Sequence, residues 1–169
     1  GTTRGVTGKV EYSYEFNAAN NDSIVLGPVI RPTTGLSITG WIRPNYQINN
    51  WSGIVTNIIN YGGGDQNGYS VFLVDSSKLV FELFNRTDYN QIYSNSIVSP
   101  NVWHFIACTW DGEYAKIYID SSIADVSVSR STTIGYDASS ILRFGSHSSP
   151  YDFNGRLDEI GIWNRALTE

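Results

Sequence analysis

The sequence predicts an all-β, two-sheet antiparallel sandwich. Short runs alternating apolar and polar residues recur along the chain, turn residues separate them at intervals of roughly 8–12 residues, and no stretch sustains a helical period. The strongest signal is Trp103 to Asp120, two alternating runs around Asp111-Gly112, a dipeptide suited to a tight hairpin. In the first run Trp103, Phe105, Ala107 and Thr109 share one face, and His104, Ile106, Cys108 and Trp110 share the other. Both faces carry apolar groups. This central hairpin is therefore expected inside a sheet covered twice, or with one face lining a cleft.

Taken in order, Lys9 to Phe16 alternates Val10, Tyr12, Tyr14 and Phe16 with polar residues and reads as a first strand. Asn17 to Asp22 is an oxygen-rich turn. Ser23 to Leu26 and Leu36 to Ile42 follow as strands, with Pro44 ending the second because proline cannot donate to a ladder. Asn45 to Gly53 is a polar loop holding Tyr46 and Trp51, and Ile54 to Ile59 is a β-branched strand. The glycine-rich segment Tyr61 to Gly68 is expected to be a loop throughout. Tyr69 to Val74 and Lys78 to Phe84 form a hairpin across Asp75-Ser76-Ser77, and Gln91 to Ser94 is a short strand. After the Asp111-Gly112 hairpin come Ile123 to Val128, Ile141 to Phe144 and Arg156 to Trp163, the spacing of a sandwich or jelly roll.

A length of 169 residues suits one domain, spanning 1–169, and 41% hydrophobic against 16% charged residues suffices for a sizeable core. Sixteen acidic against eleven basic residues give a net charge of -5 without any basic cluster, which argues against nucleic acid or anionic membranes as partners. No run of roughly 20 apolar residues predicts a membrane span. Cys108 has no second cysteine to pair with and reads as a small buried hydrophobe.

The closing segment Asn154-Gly155-Arg156-Leu157-Asp158-Glu159-Ile160-Gly161-Ile162-Trp163-Asn164-Arg165-Ala166-Leu167 resembles the final signature of laminin G-like (LamG-like) domains of the concanavalin A-like jelly-roll superfamily. Phe16 with its Asn-rich loop, Ser37 to Pro44, and Trp103 through Trp110-Asp111-Gly112 to Asp120 carry the resemblance across nearly the whole chain. One departure is Asp120-Ser121, where the family often has Asp-Gly. The resemblance implies two antiparallel sheets, one concave, and a non-catalytic binding domain from a larger secreted or cell-surface protein, an expectation that the opening Gly1 also suggests. Glycosidases of the superfamily resemble one another in a Glu-x-Asp-x-x-Glu strand that places two carboxylates for hydrolysis. This sequence has no such strand, and Asp158 and Glu159 should face opposite ways.

For binding, the loop aromatics are the first candidates. Trp51, Tyr46, Tyr61, Tyr89, Tyr136 and Tyr151 lie in Gly-, Asn- and Ser-rich segments, and flat rings with polar edges suit the amphipathic faces of sugars. Arg86 and Asp88, with Asn90 and Gln91, supply polar groups around Tyr89. His104 reads as a sheet residue, while His147 sits in a loop of Ser and Tyr. The resemblance further implies a structural Ca²⁺ near the termini, with Asn20, Asp22 and Asp158 as candidate ligands, consistent with the oxygen donors such hard cations require. The expected partner is a polysaccharide or other glycan. The alternative is a calcium-stabilised protein-binding module for adhesion or structure.

Overall fold

A computed structural model of the chain describes residues 1–27, 30–45, 51–62, 65–74, 77–86, 88–121, 123–147 and 150–168, leaving the side chains of residues 60–62 and 65 outside the description. It is a jelly-roll sandwich of two antiparallel sheets. The strands are β1 (Thr3–Thr7), β2 (Tyr12–Phe16), β3 (Ile24–Leu26), β4 (Leu36–Pro44), β5 (Ser52–Gly62), β6 (Asp65–Val74) and β7 (Lys78–Asn85). They continue as β8 (Asp88–Ile97), β9 (His104–Trp110), β10 (Tyr114–Ile119), β11 (Val126–Ser129), β12 (Leu142–Phe144) and β13 (Gly155–Trp163). One sheet has the order β1-β2-β13-β4-β9-β10-β11 and the other β3-β12-β5-β6-β7-β8. A 3-10 turn, Ala18–Asn20, stands in the Asn-rich loop.

Period-two alternation builds the main core. Leu36, Ile38 and Ile42 of β4 and Ile106, Cys108 and Trp110 of β9 point inward from one sheet; Tyr69, Val71 and Leu73 of β6 and Leu79, Phe81 and Leu83 of β7 do so from the other. Gly40 occupies the inward row of β4, where a Cβ would lie 2.4 Å from Cδ1 of Ile160. The bulge in β13 between Asp158 and Gly161 drives Ile160 into that space. The glycine therefore makes room for a neighbouring strand's side chain.

Several expectations change. The first strand is β1, so the run expected from Lys9 to Phe16 is the second, β2, and begins at Tyr12. The Asp111-Gly112 hairpin forms as β9–β10, but the middle strand of its sheet is β4, against which β9 lies from Leu36↔Trp110 to Ile42↔His104. The segment from Tyr61 to Gly68 is largely strand, because β5 and β6 extend their ladder as far as Gly62↔Asp65. Cross-strand pairing outweighs the weak β-propensity of Gly, Asn and Asp there. β8 is likewise longer than Gln91 to Ser94, since the hairpin partner β7 pairs it from Asn85↔Asp88 onward. Cys108 is buried, as a small hydrophobe should be.

Phe81 is fully buried between the sheets. Phe81→Ala should cost about 3–5 kcal/mol of unfolding free energy, read from the urea midpoint.

Candidate functional site

Between its end residues Lys78 and Asn85, strand β7 is apolar on both faces except at Glu82. Its inward residues belong to the main core, so Val80, Glu82 and Phe84 face away from it, and with Ile58, Phe72 and Val74 the two apolar residues form a second buried cluster. Trp51, one residue before β5, packs on this cluster with its ring edge-on to Phe72 at 5.4 Å. Tyr89 covers Phe84 at 4.6 Å between ring centroids.

The second part of the cover comes from the segment after β12. Gly145 N donates to Ile54 O, Gly53 N donates to Tyr151 O, and Thr56 Oγ1 donates to Ser146 O at 2.7 Å, clamping Gly145, Ser146 and Tyr151 onto β5. Gly53 permits this approach, because a Cβ there would stand 2.8 Å from His147 N. His147 and Tyr151 thereby reach Trp51's side of the sheet. The His147 ring lies 6.1 Å from Phe72 and 6.3 Å from Tyr151.

Between these covers is a cavity of about 200 Å³ lined by Trp51, Ile58, Gln66, Phe72, Glu82, Tyr89, His147 and Tyr151. Ser70, Glu82 and Gln91 stand opposite one another on three neighbouring strands. Ser70 Oγ donates to Glu82 Oε2, and Gln91 Nε2 donates to Glu82 Oε1 at 2.7 Å and to the Tyr89 hydroxyl oxygen at 2.9 Å. Tyr93 closes the network by donating to Gln91 Oε1 at 3.0 Å. Glu82 is only 3% exposed, and burial raises its carboxyl to about 7 against the lowering influence of the Ser70 and Gln91 bonds. The Tyr89 hydroxyl is raised by its own burial and then by the Glu82 charge. Burial, then the Arg143 guanidinium, holds His147 below the usual imidazole range, so its ring is uncharged at neutral pH.

Of the sequence candidates, Trp51, Tyr89 and Tyr151 meet at this cavity. Tyr46 lies outside the described residues, and Tyr61 lies in β5 with its side chain outside the description. Tyr136 belongs elsewhere: its hydroxyl donates to Pro32 O at 2.7 Å and its ring packs against Tyr69 at the edge of the main core. Arg86 and Asp88 flank the β7–β8 turn without lining the cavity; Arg86 N donates to Gln66 O at 2.8 Å, and Asp88 Oδ2 accepts from Thr132 Oγ1 at 3.3 Å. Glu82 and Phe72 were not among the candidates. The available signal was a lone carboxylate in the apolar run Leu79 to Phe84.

The expected calcium ligands divide into two places. Asn20 and Asp22 share the turn after β2, where buried Asp22 accepts from Asn17 N at 3.0 Å through Oδ2. Its Oδ1 faces the Gly1 amino nitrogen at 3.1 Å without a hydrogen bond. Asp158 lies three residues along β13 from the Gly155↔Phe16 pair, and its Oδ2 accepts from Lys9 N and Val10 N, both at 2.8 Å. Among the described residues no three His, Cys, Asp or Glu side chains form a metal-holding group. Asp22 is thus ion-paired with the Gly1 amino group, and Asp158 is engaged by two backbone amides.

The raised Glu82 carboxyl has a stability consequence. The folded state keeps this proton between the ordinary carboxylate range near 4.5 and about 7, where the unfolded chain has lost it, so stability contributed by Glu82 falls as pH rises through that window. The wild-type minus Glu82→Gln difference in unfolding free energy should decline across it and flatten above, as followed by denaturation at several pH values. A pH-independent difference would show that Glu82 ionises normally.

The family model described as the concanavalin A-like lectin/glucanases superfamily matches residues 18–169. A comparison with curated proteins found no match. Among solved structures, the binding domain of Paraclostridial Mosquitocidal Protein 1 aligns with a TM-score of 0.80 at 20% identity, over 99% of this chain and 43% of that one. This chain thus spans less than half of that structure. Domain 4 of AbnA, an extracellular arabinanase from Geobacillus stearothermophilus solved with arabinotriose, aligns with a TM-score of 0.75 at 16% identity, over 99% of this chain and 77% of that one. Domains LG4-5 of the mouse laminin alpha1 chain align with a TM-score of 0.70 at 16% identity, over 95% and 44% of the respective chains. At these identities the structural likeness establishes the fold, and the family match, covering most of the sequence, establishes membership: the chain belongs to the laminin G-type domains of the concanavalin A-like lectin/glucanases superfamily.

Proposed function

We propose that this domain is a non-catalytic carbohydrate-binding module of a secreted or cell-surface protein. The observation that carries the reading is the cavity over β6 and β7, where Trp51, Tyr89 and Tyr151 surround Glu82, itself hydrogen-bonded to Gln91. Aromatic faces take the apolar C–H side of a sugar, and the floor and rim take its hydroxyls. The AbnA domain, which shares the fold, was solved with arabinotriose, in keeping with a saccharide ligand here. Glu82 is the single carboxyl group lining the cavity among the described residues, whereas glycoside hydrolysis ordinarily employs a pair. Attachment to further modules would raise a modest single-site affinity by effective concentration.

A second reading, a protein-binding adhesion or structural module, draws on the opposite sheet. Thr39, Phe105, Ala107, Tyr118 and Leu167 line a shallow apolar groove on its outer face, near the edge-on pair Trp41–Phe105. In either reading a structural Ca²⁺ would be held by Asp22 with oxygens of the Asn17–Asp22 turn and would supply a cross-link that stiffens it.

A glycan array followed by calorimetry with the best ligand tests the proposal. Trp51→Ala should weaken binding by about tenfold or more while the circular dichroism of the sheets persists. Wild-type affinity in this variant, or no glycan bound by the folded domain, would shift the assignment to the protein-binding module. For calcium, the melting temperature should rise in millimolar-range Ca²⁺ relative to EDTA and the rise should vanish in Asp22→Asn; an unchanged midpoint in the wild type removes the metal.

A further inference from the structure

Glu82 is a costly residue for a neutral sugar site. A glutamine there would keep one carbonyl oxygen for Gln91 and an amide that the Ser70 hydroxyl could turn to accept from, without the penalty of burying an ionisable acid. Yet the position is a carboxyl, 3% exposed, on the cavity floor. Among the described residues no lysine, arginine or histidine forms an ion pair with it. The charged and titratable groups around it are Tyr89 and Tyr93 from β8 and His147 and Tyr151 from the clamped segment, while Arg143 bears on His147. Among the described residues, the cavity therefore presents one acid without an ion-pair partner beneath the rings of Trp51, Tyr89 and Tyr151, and no cation.

We propose that the glycan this cavity selects carries a protonated amine, that is, an amino sugar, whose ammonium group sits among these rings and pairs with the Glu82 carboxylate. The inference rests on the carbohydrate-binding reading and narrows its ligand class. Ring faces attract a cation through their quadrupole, more strongly when water is excluded, and a buried carboxylate supplies the counter-charge. The domain's net charge of -5 favours the approach of a cationic saccharide. A neutral hydroxyl would gain neither interaction. Binding also has a proton signature: an arriving ammonium stabilises the ionised carboxyl, so below about pH 7 the complex forms with release of a proton from Glu82.

Calorimetry of the 169-residue domain at about pH 6 with a glucosamine tetramer and with its fully N-acetylated counterpart tests this directly, because acetylation removes the charge and keeps the sugar. The amine-bearing tetramer should bind about tenfold tighter or better, with an enthalpy that varies with the ionisation enthalpy of the buffer as proton release requires. In Glu82→Gln the preference and the buffer dependence should both disappear. The wild-type comparison stands whether or not that variant folds. Equal or tighter binding of the acetylated tetramer would overturn the amine assignment and leave the carbohydrate reading intact. Binding of neither tetramer nor any other glycan, or capture of a lysine-containing peptide in their place, would overturn both.

Discussion

Because Leu79, Phe81 and Leu83 lie against the facing sheet, Val80, Glu82 and Phe84 must lie on the opposite side of β7, where only a second cover keeps them from water. This two-sided burial constrains everything else in the candidate site. It demands that Trp51 and Tyr89 fold down over Phe72 and Phe84, and it leaves Glu82 in an apolar setting that favours its protonated form. The cross-strand register then determines who can satisfy the acid: Ser70 on one neighbour and Gln91 on the other are the residues directly opposite. A one-residue slip of β8 would turn Gln91 to the other face and remove one of the two hydrogen bonds.

The rigidity of the site comes from backbone more than from side chains. The chain after β12 is anchored at Gly145 to Ile54, at Tyr151 to Gly53 and at Phe153 to Gly145, with Thr56 holding the Ser146 carbonyl. Phe153, fully buried against Phe16, pins the end of the segment into the main core. His147 and Tyr151 are consequently presented by a loop attached at both ends to a packed sandwich. Binding to a largely preformed site of this kind loses little conformational entropy on ordering the protein.

The seven-stranded sheet is organised differently. Its outer face carries partly buried aromatics, and its end is closed by polar clamps, with Asp158 accepting from Lys9 and Val10 and Ser37 Oγ donating to Arg165 O while accepting from Leu167 N. His104 and Asp120 lie 2.6 Å apart, and Asp120 takes up the left-handed φ of 53° at the place where the family often has Asp-Gly. These contacts tie the closing signature to the strands around it. They account for its residues as structural parts of the sheet, which is why Asp158, legible in sequence as an available carboxylate, is occupied by backbone amides.

The amino-acid sequence alone determined the all-β class, the β9–β10 hairpin at Asp111-Gly112, the antiparallel pairing of β6 with β7, and the family, because alternation and turn chemistry are local properties that survive without knowledge of neighbours. It also put forward Trp51, Tyr89 and Tyr151, which the fold gathers at one cavity, since large rings in polar segments stand out residue by residue. It could not separate these from Tyr136, which hydrogen-bonds to Pro32 and joins the core edge, because a loop aromatic reads the same whether it faces a cavity or packs beneath its own loop. Nor could it single out Glu82. Tertiary structure alone decided that the second face of β7 would be covered, and that a segment nearly a hundred residues beyond Trp51 would fold back beside it. The physical reason is that period-two alternation says which residues share a face, while the environment of that face, and with it the charge state of an acid upon it, depends on what the rest of the chain packs there.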